Sequence, residues 1–143
     1  MISVKKSIVI NAPVQRVFEY LNDPLTTLEY WPSMVDIRDV QKLPNGGSKF
    51  RWTYKMAGMR MEGSSEDVEV VPNQKMVTAS TGGVDSTVTW ELEASAGSTR
   101  LDGTFDYTIP LPLIGRLAEA VIVKLNEQEV QTIMANLKVR LEG

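Results

Sequence analysis

The sequence contains no cysteine and no histidine. Without cysteine there can be no disulfide, no thiolate nucleophile and no thiolate metal site. Without histidine there is no Ser-His-Asp triad, no Cys-His pair and no imidazole ligand for a metal. Any catalysis would rest on Asp, Glu, Lys, Tyr, Arg or bound water. That shifts the expectation from a protein that reacts towards one that binds. A basic run is also missing. The 15 Lys and Arg are scattered against 18 Asp and Glu, for a net charge of −3. No phosphate-tracking footprint results, so nucleic acid is not an expected partner. No apolar run approaches the roughly 18 residues of a membrane span. Met1-Ile2-Ser3-Val4-Lys5-Lys6 leads into a strand pattern and not a signal pattern. The expectation is a cytoplasmic chain without stable membrane insertion. Its 143 residues predict a single domain spanning 1–143. An apolar share of 43% and a charged share of 23% suffice for a sizeable core.

The most organised stretch present is the last third. Pro110 and Pro112 close a strand-like segment, and no further proline follows. Leu113, Ile114, Leu117, Ala118, Val121, Ile122 and Leu125 then recur at spacings of three and four, which predicts one face of a helix. Running to the end, that helix would be about 45 Å long at 1.5 Å per residue. Its second half (Val130, Ile133, Met134, Leu137, Leu141) points nearly opposite to the first, the change falling across Asn126-Glu127-Gln128-Glu129. Either the helix curves around its partner, or one half covers a cavity while the other meets the sheet or a second subunit.

Earlier in the chain, Val4 to Asn11 predicts a strand. Pro13 opens a short helix carrying Val14, Val17, Phe18 and Leu21. A second helical piece, Leu25 to Trp31, turns Leu28 and Trp31 inward. Six strands follow in a meander: Met34 to Leu43, Ser48 to Met56, Met59 to about Val71, Lys75 to Thr81, Val84 to Glu93 and Thr99 to Ile109. In the first of these, Val35 and Ile37 share a face and Val40 falls out of phase, predicting a bulge near Asp39. The connections are short and rich in Gly, so neighbours should pair antiparallel. The acidic run Glu62, Glu66, Asp67, Glu69 is expected on a wet strand face, not at a metal. Alternation likewise places Asp85, Asp102 and Asp106 outside.

The inward face predicted by alternation carries Phe50, Trp52, Tyr54, Met56, Met61, Trp90, Phe105 and Tyr107, with Gly63 and Gly103 among them. Aromatic and Met side chains around small residues suit the wall of a cavity for an apolar ligand. They also suit the concave side of a strongly bent sheet, which needs large residues to fill it.

The segment Ile8-Val9-Ile10-Asn11-Ala12-Pro13-Val14-Gln15-Arg16-Val17-Phe18-Glu19-Tyr20-Leu21, with Asn22-Asp23-Pro24 and then Tyr30-Trp31-Pro32, resembles the START-like, helix-grip superfamily. Within it the chain is similar to the polyketide cyclase/dehydrase and lipid-transport (SRPBCC) group. The resemblance covers the whole chain. It implies an α+β, helix-grip fold: a curved antiparallel sheet of about seven strands wrapped around a long C-terminal helix, with two short helices after the first strand. It also implies a hydrophobic cavity for lipids, sterols, quinones, hormones or polyketides, and it transfers no catalytic residue, metal or cofactor.

Three functions are carried forward. The first is binding or transport of a small hydrophobic ligand without catalysis, with ligand contacts from Phe50, Trp52, Tyr54, Met61, Trp90, Phe105 and Tyr107 on the sheet and Trp31, Ile114, Leu117 and Val121 covering them. The second is an enzyme of the polyketide cyclase/aromatase type using Tyr54, Tyr107, Arg38 or Asp39 beside the cavity. The third is an interaction module, a homodimer formed through Val130, Met134, Leu137 and Leu141.

Overall fold

The computed structural model describes residues 1–56, 58–109 and 119–143. The expectations at Pro110, Pro112, Leu113, Ile114, Leu117 and Ala118 fall outside the described residues. Seven strands form one antiparallel sheet: β1 (Ile2–Ile10), β2 (Met34–Lys42), β3 (Ser48–Met56), β4 (Met59–Val71), β5 (Lys75–Gly82), β6 (Ser86–Ser95) and β7 (Ser98–Tyr107). Their order is β1-β7-β6-β5-β4-β3-β2. Six of them follow the chain as a meander, and β1 closes on the last, from Ile2↔Tyr107 to Ile10↔Thr99. Helix α1 (Val14–Asn22), a 3-10 turn (Pro24–Thr26) and α2 (Thr27–Tyr30) connect β1 to β2, and α3 (Glu119–Glu142) completes the chain. This is the helix-grip fold.

Local chemistry accounts for the elements. Pro13 caps α1 in an extended conformation, and Val17, Phe18 and Leu21 are its buried stripe. The β2–β3 turn closes through Leu43 N–H to the Gly47 carbonyl (2.9 Å) and Gly46 N–H to the Leu43 carbonyl (3.1 Å). Gly46 has φ +89°, a left-handed conformation that favours glycine. The bulge near Asp39 forms: Asp39 has φ +56° and the β2–β3 register slips between Arg38 and Gln41. A second slip, between Met34 and Asp36, turns Val35 out to solvent, so Val35 and Ile37 do not share a face. In α2, Leu28 is exposed and Tyr30 takes the buried position instead. A helix of four residues offers one inward site, and the bulkier aromatic occupies it.

The terminal helix differs from expectation in one instructive way. Over its described residues, Glu119–Glu142, it presents a single inward stripe and not two opposed faces. Ile122, Val130, Ile133, Met134, Leu137 and Leu141 are buried, while Val121 and Leu125 are exposed. Steps of four, three, four, four and four join Ile122, Asn126, Glu129, Ile133, Leu137 and Leu141 into one row. The row looks broken in sequence because its second and third positions, Asn126 and Glu129, are polar. The side chains expected to meet a second subunit are therefore core residues of this chain. The C-terminal half of α3 is tied to the first strand by Lys138 Nζ on the Val9 carbonyl (2.6 Å) and by Asn11 N–H on Glu142 Oε2 (2.8 Å). Asn136 Nδ2 donates to the Tyr30 carbonyl at 3.1 Å, fixing α2 against the same helix. Among the described residues, no helix is long and apolar enough to cross a membrane.

Candidate functional site

The interior has two parts. Around the end of β1, Ile10, Leu101, Leu137 and Leu141 are fully buried and do not line the cavity. Under the N-terminal half of α3 the sheet stands off, leaving a cavity of about 130 Å³, room for several waters. All of the expected sheet residues (Phe50, Trp52, Tyr54, Met61, Trp90, Phe105 and Tyr107) line this one space, together with Trp31. Val121 does not; it points away at 47% exposure and its neighbour Ile122 lines the cavity. Ile114 and Leu117 lie outside the described residues.

The aromatic rings brace one another at near right angles. Phe105 meets the edge of Trp90 at 5.4 Å between centroids and of Trp31 at 5.7 Å, and Trp52 meets Tyr54 at 6.3 Å. Edge-to-face pairs of this kind are favourable beyond the area they bury. Two glycines make room for them. A Cβ on Gly63 would lie 2.5 Å from the Trp52 ring, and one on Gly103 would lie 2.8 Å from the Trp90 ring.

Tyr54 and Tyr107 are the polar wall residues that the sequence pattern singles out; the others, on Ser, Asp and Glu, it does not. Glu129, on the inward row of α3, accepts from Tyr54 OH at 2.7 Å, from Trp31 Nε1 at 3.1 Å and from Ser33 Oγ. It joins three separate elements at the cavity wall. Burial and then the Glu129 charge hold the Tyr54 phenol well above its ordinary pKa. Across the floor, Phe50, Ser65, Ser80, Ser86 and Tyr107 stand directly opposite one another on β3, β4, β5, β6 and β7. This is a row of hydroxyls crossing an otherwise apolar surface. Ser65 Oγ receives Trp52 Nε1 at 2.9 Å and lies 2.5 Å from Ser80 Oγ. At the end of the row, the buried Tyr107 hydroxyl has no hydrogen-bond partner among the described residues. Burial raises its pKa, and nearby Asn126 opposes the shift. One N–H of the Asn126 amide donates to the Ile122 carbonyl, at 3.1 Å.

Asp67 is the second acid of the wall and a correction to the expected wet acidic face. It shares the inward phase of β4 with Met61, Gly63 and Ser65, and is buried. Its Oδ2 accepts Ser48 N–H at 2.8 Å and its Oδ1 accepts Thr78 Oγ1 at 2.7 Å. Burial raises its pKa; those two hydrogen bonds work against the rise. Glu62, Glu66 and Glu69 are exposed, as expected. Arg38 and Asp39 are not in the cavity. Despite the bulge, Asp39 is exposed and Arg38 lies on the outer face, paired with Asp36 at 2.8 Å and Glu62 at 3.1 Å. Among the described residues no group of acidic side chains gathers as a metal site.

A family model described as polyketide cyclase / dehydrase and lipid transport matches residues 1–142. No curated protein matches the chain by sequence. Solved structures do match by fold. A protein from Thermus thermophilus, TTHA0849, is similar at 21% identity with a TM-score of 0.83, covering 98% of this chain and 97% of that one. A START superfamily protein from Mycobacterium smegmatis is similar at 16% identity and TM-score 0.81, with 98% and 97% covered. The Zhui aromatase/cyclase from Streptomyces sp. R1128 is similar at 17% identity and TM-score 0.77, with 99% and 93% covered.

Proposed function

The chain belongs to the polyketide cyclase/dehydrase and lipid transport family, and from that we propose that it binds a small hydrophobic molecule in the cavity between its sheet and its C-terminal helix, as a carrier and without catalysis. The observation that supports this best is the convergence of Trp31, Trp52, Trp90 and Phe105 around one cavity, where a core built only for packing would close. The absence of His and Cys from the whole sequence points the same way. Native mass spectrometry of protein from an expression host tests the proposal. The expected result is a small-molecule adduct that leaves on denaturation and is weakened in Trp52→Ala. Retention of the same adduct with the same strength in both Trp52→Ala and Phe105→Arg, with the fold intact, would remove these residues from the site.

One observation favours a second reading, an enzyme of the cyclase or aromatase type. Tyr54 OH and the Glu129 carboxylate are 2.7 Å apart on the cavity wall, a proton donor and acceptor beside a space that could fold a flexible chain. Under this reading Glu129→Gln abolishes turnover of a bound poly-β-ketone substrate while its binding persists. Under the carrier reading no turnover exists to lose.

A further inference from the structure

The cavity wall carries information about the polarity of its ligand. Two buried polar atoms in residues lining the space lack partners among the described residues: the Tyr107 hydroxyl, in a residue only 8% exposed, and Asn22 Oδ1. A buried polar group without a partner is costly, so a ligand atom that satisfies it gains affinity over a purely apolar one. Tyr107 follows Ser65, Ser80 and Ser86 in register across the sheet, and all four line the same space, adding further donors and acceptors to it. Asp106, expected outside, also lines the space and is half-buried on β7, and two hydrogen-bonded carboxylates, Glu129 and Asp67, share the wall with it. Their own donors are supplied by the protein: Tyr54, Trp31 and Ser33 for Glu129, and Ser48 and Thr78 for Asp67. They therefore present negative charge to the space without needing a ligand cation.

We propose that the cavity selects uncharged ligands bearing a hydroxyl, seated on the Tyr107 hydroxyl at the end of the serine row, and that Glu129 and Asp67 turn away ligands bearing a carboxylate. The proposal rests on the cavity assignment made above. Its chemical content is discrimination between an alcohol or phenol and a fatty-acid-like anion of the same apolar body. A neutral hydroxyl both donates and accepts, and so can serve Tyr107 and its neighbours. A carboxylate brings a like charge into a space of low polarity, where such juxtapositions are penalised heavily.

Isothermal titration calorimetry of the full chain at pH 7.5 with three matched probes decides the matter: 4-ethylphenol, 4-ethylbenzoate and ethylbenzene. We expect 4-ethylphenol to bind more tightly than 4-ethylbenzoate by about tenfold or more. Glu129→Gln, and independently Asp67→Asn, should narrow that gap by strengthening 4-ethylbenzoate. Tyr107→Phe should weaken 4-ethylphenol while leaving ethylbenzene unchanged. Equal or tighter binding of 4-ethylbenzoate to the wild-type chain overturns the proposal and leaves the cavity assignment standing. An unchanged 4-ethylphenol affinity in Tyr107→Phe overturns the seat. Failure of all three probes to bind sinks the cavity assignment itself, and the proposal with it.

Discussion

Asp67 shows how much a single side chain can be asked to do. It is buried at 4% exposure, yet it receives the Ser48 amide at 2.8 Å and the Thr78 hydroxyl at 2.7 Å. It also stands against Gly47, where a Cβ would lie 2.4 Å from the Asp67 Cβ. The β2–β3 turn and the middle of β4 are thus joined through one carboxyl. Asp67→Ala leaves the Ser48 N–H unpaired and should cost about 2 kcal/mol in urea unfolding. Asp67→Asn keeps an acceptor for that N–H and can donate to Thr78, so it should cost less. The two also separate by pH. Burial holds the native Asp67 pKa above the usual aspartate value, so the native state binds this proton more tightly than the unfolded chain does. Its contribution is fully present below the unfolded pKa and is lost as pH rises through the native one. Stability of the wild type relative to Asp67→Asn should therefore fall as pH rises from about 4 and level off above the native pKa. A difference that does not vary with pH over that range contradicts the assignment.

At the scale of the element, α3 explains both what could be read and what could not. The period of its apolar residues is helical, and the strands alternate so regularly that Ser48–Met56 and Met59–Val71 have the ends expected of them. What periodicity cannot supply is the phase when a row contains polar residues. Asn126 and Glu129 sit where an amphipathic helix would carry Leu, so counting apolar residues assigns the N-terminal half to the side of Val121 and Leu125. The packed row passes through Ile122 instead. The same blindness hid Ser65, Asp67, Ser80 and Ser86, which have inward parity but polar side chains. Cavity polarity was thus missed for the reason that makes it informative. Stability measurements can check the phase. Leu137 is fully buried, and Leu137→Ala should cost about 2–5 kcal/mol. Val121 is 47% exposed, and Val121→Ala should change stability by no more than about 0.5 kcal/mol. Similar costs at both sites would mean that the first half of α3 packs on the face that Val121 occupies.

For the whole molecule, the sheet and α3 form a shell whose integrity is reported by its four tyrosines, Tyr20, Tyr30, Tyr54 and Tyr107. Each has its pKa raised, and in each the largest cause is burial. Tyr30, the buried last residue of α2 on the cavity wall, is pushed up to about 12. Glu29 adds to the rise at Tyr20 and Glu129 to that at Tyr54. A phenol whose native pKa lies above its unfolded value contributes stability that is intact below the unfolded pKa, about 10, and is lost as pH climbs through the native one. Tyr30, Tyr54 and Tyr107, which line the cavity, should thus act together on the alkaline side. In a spectrophotometric titration, little phenolate absorbance is expected near pH 10. It should appear later, in one steep step coincident with the change in tryptophan fluorescence that marks opening of the cavity around Trp31, Trp52 and Trp90. A gradual rise centred near 10, with tryptophan fluorescence unchanged, would mean that water reaches these hydroxyls in the native state. The sheet and helix would then not close around the site. A ligand seated on Tyr107 should move the step further alkaline, because it binds the native state alone and so opposes the ionisation that opens it.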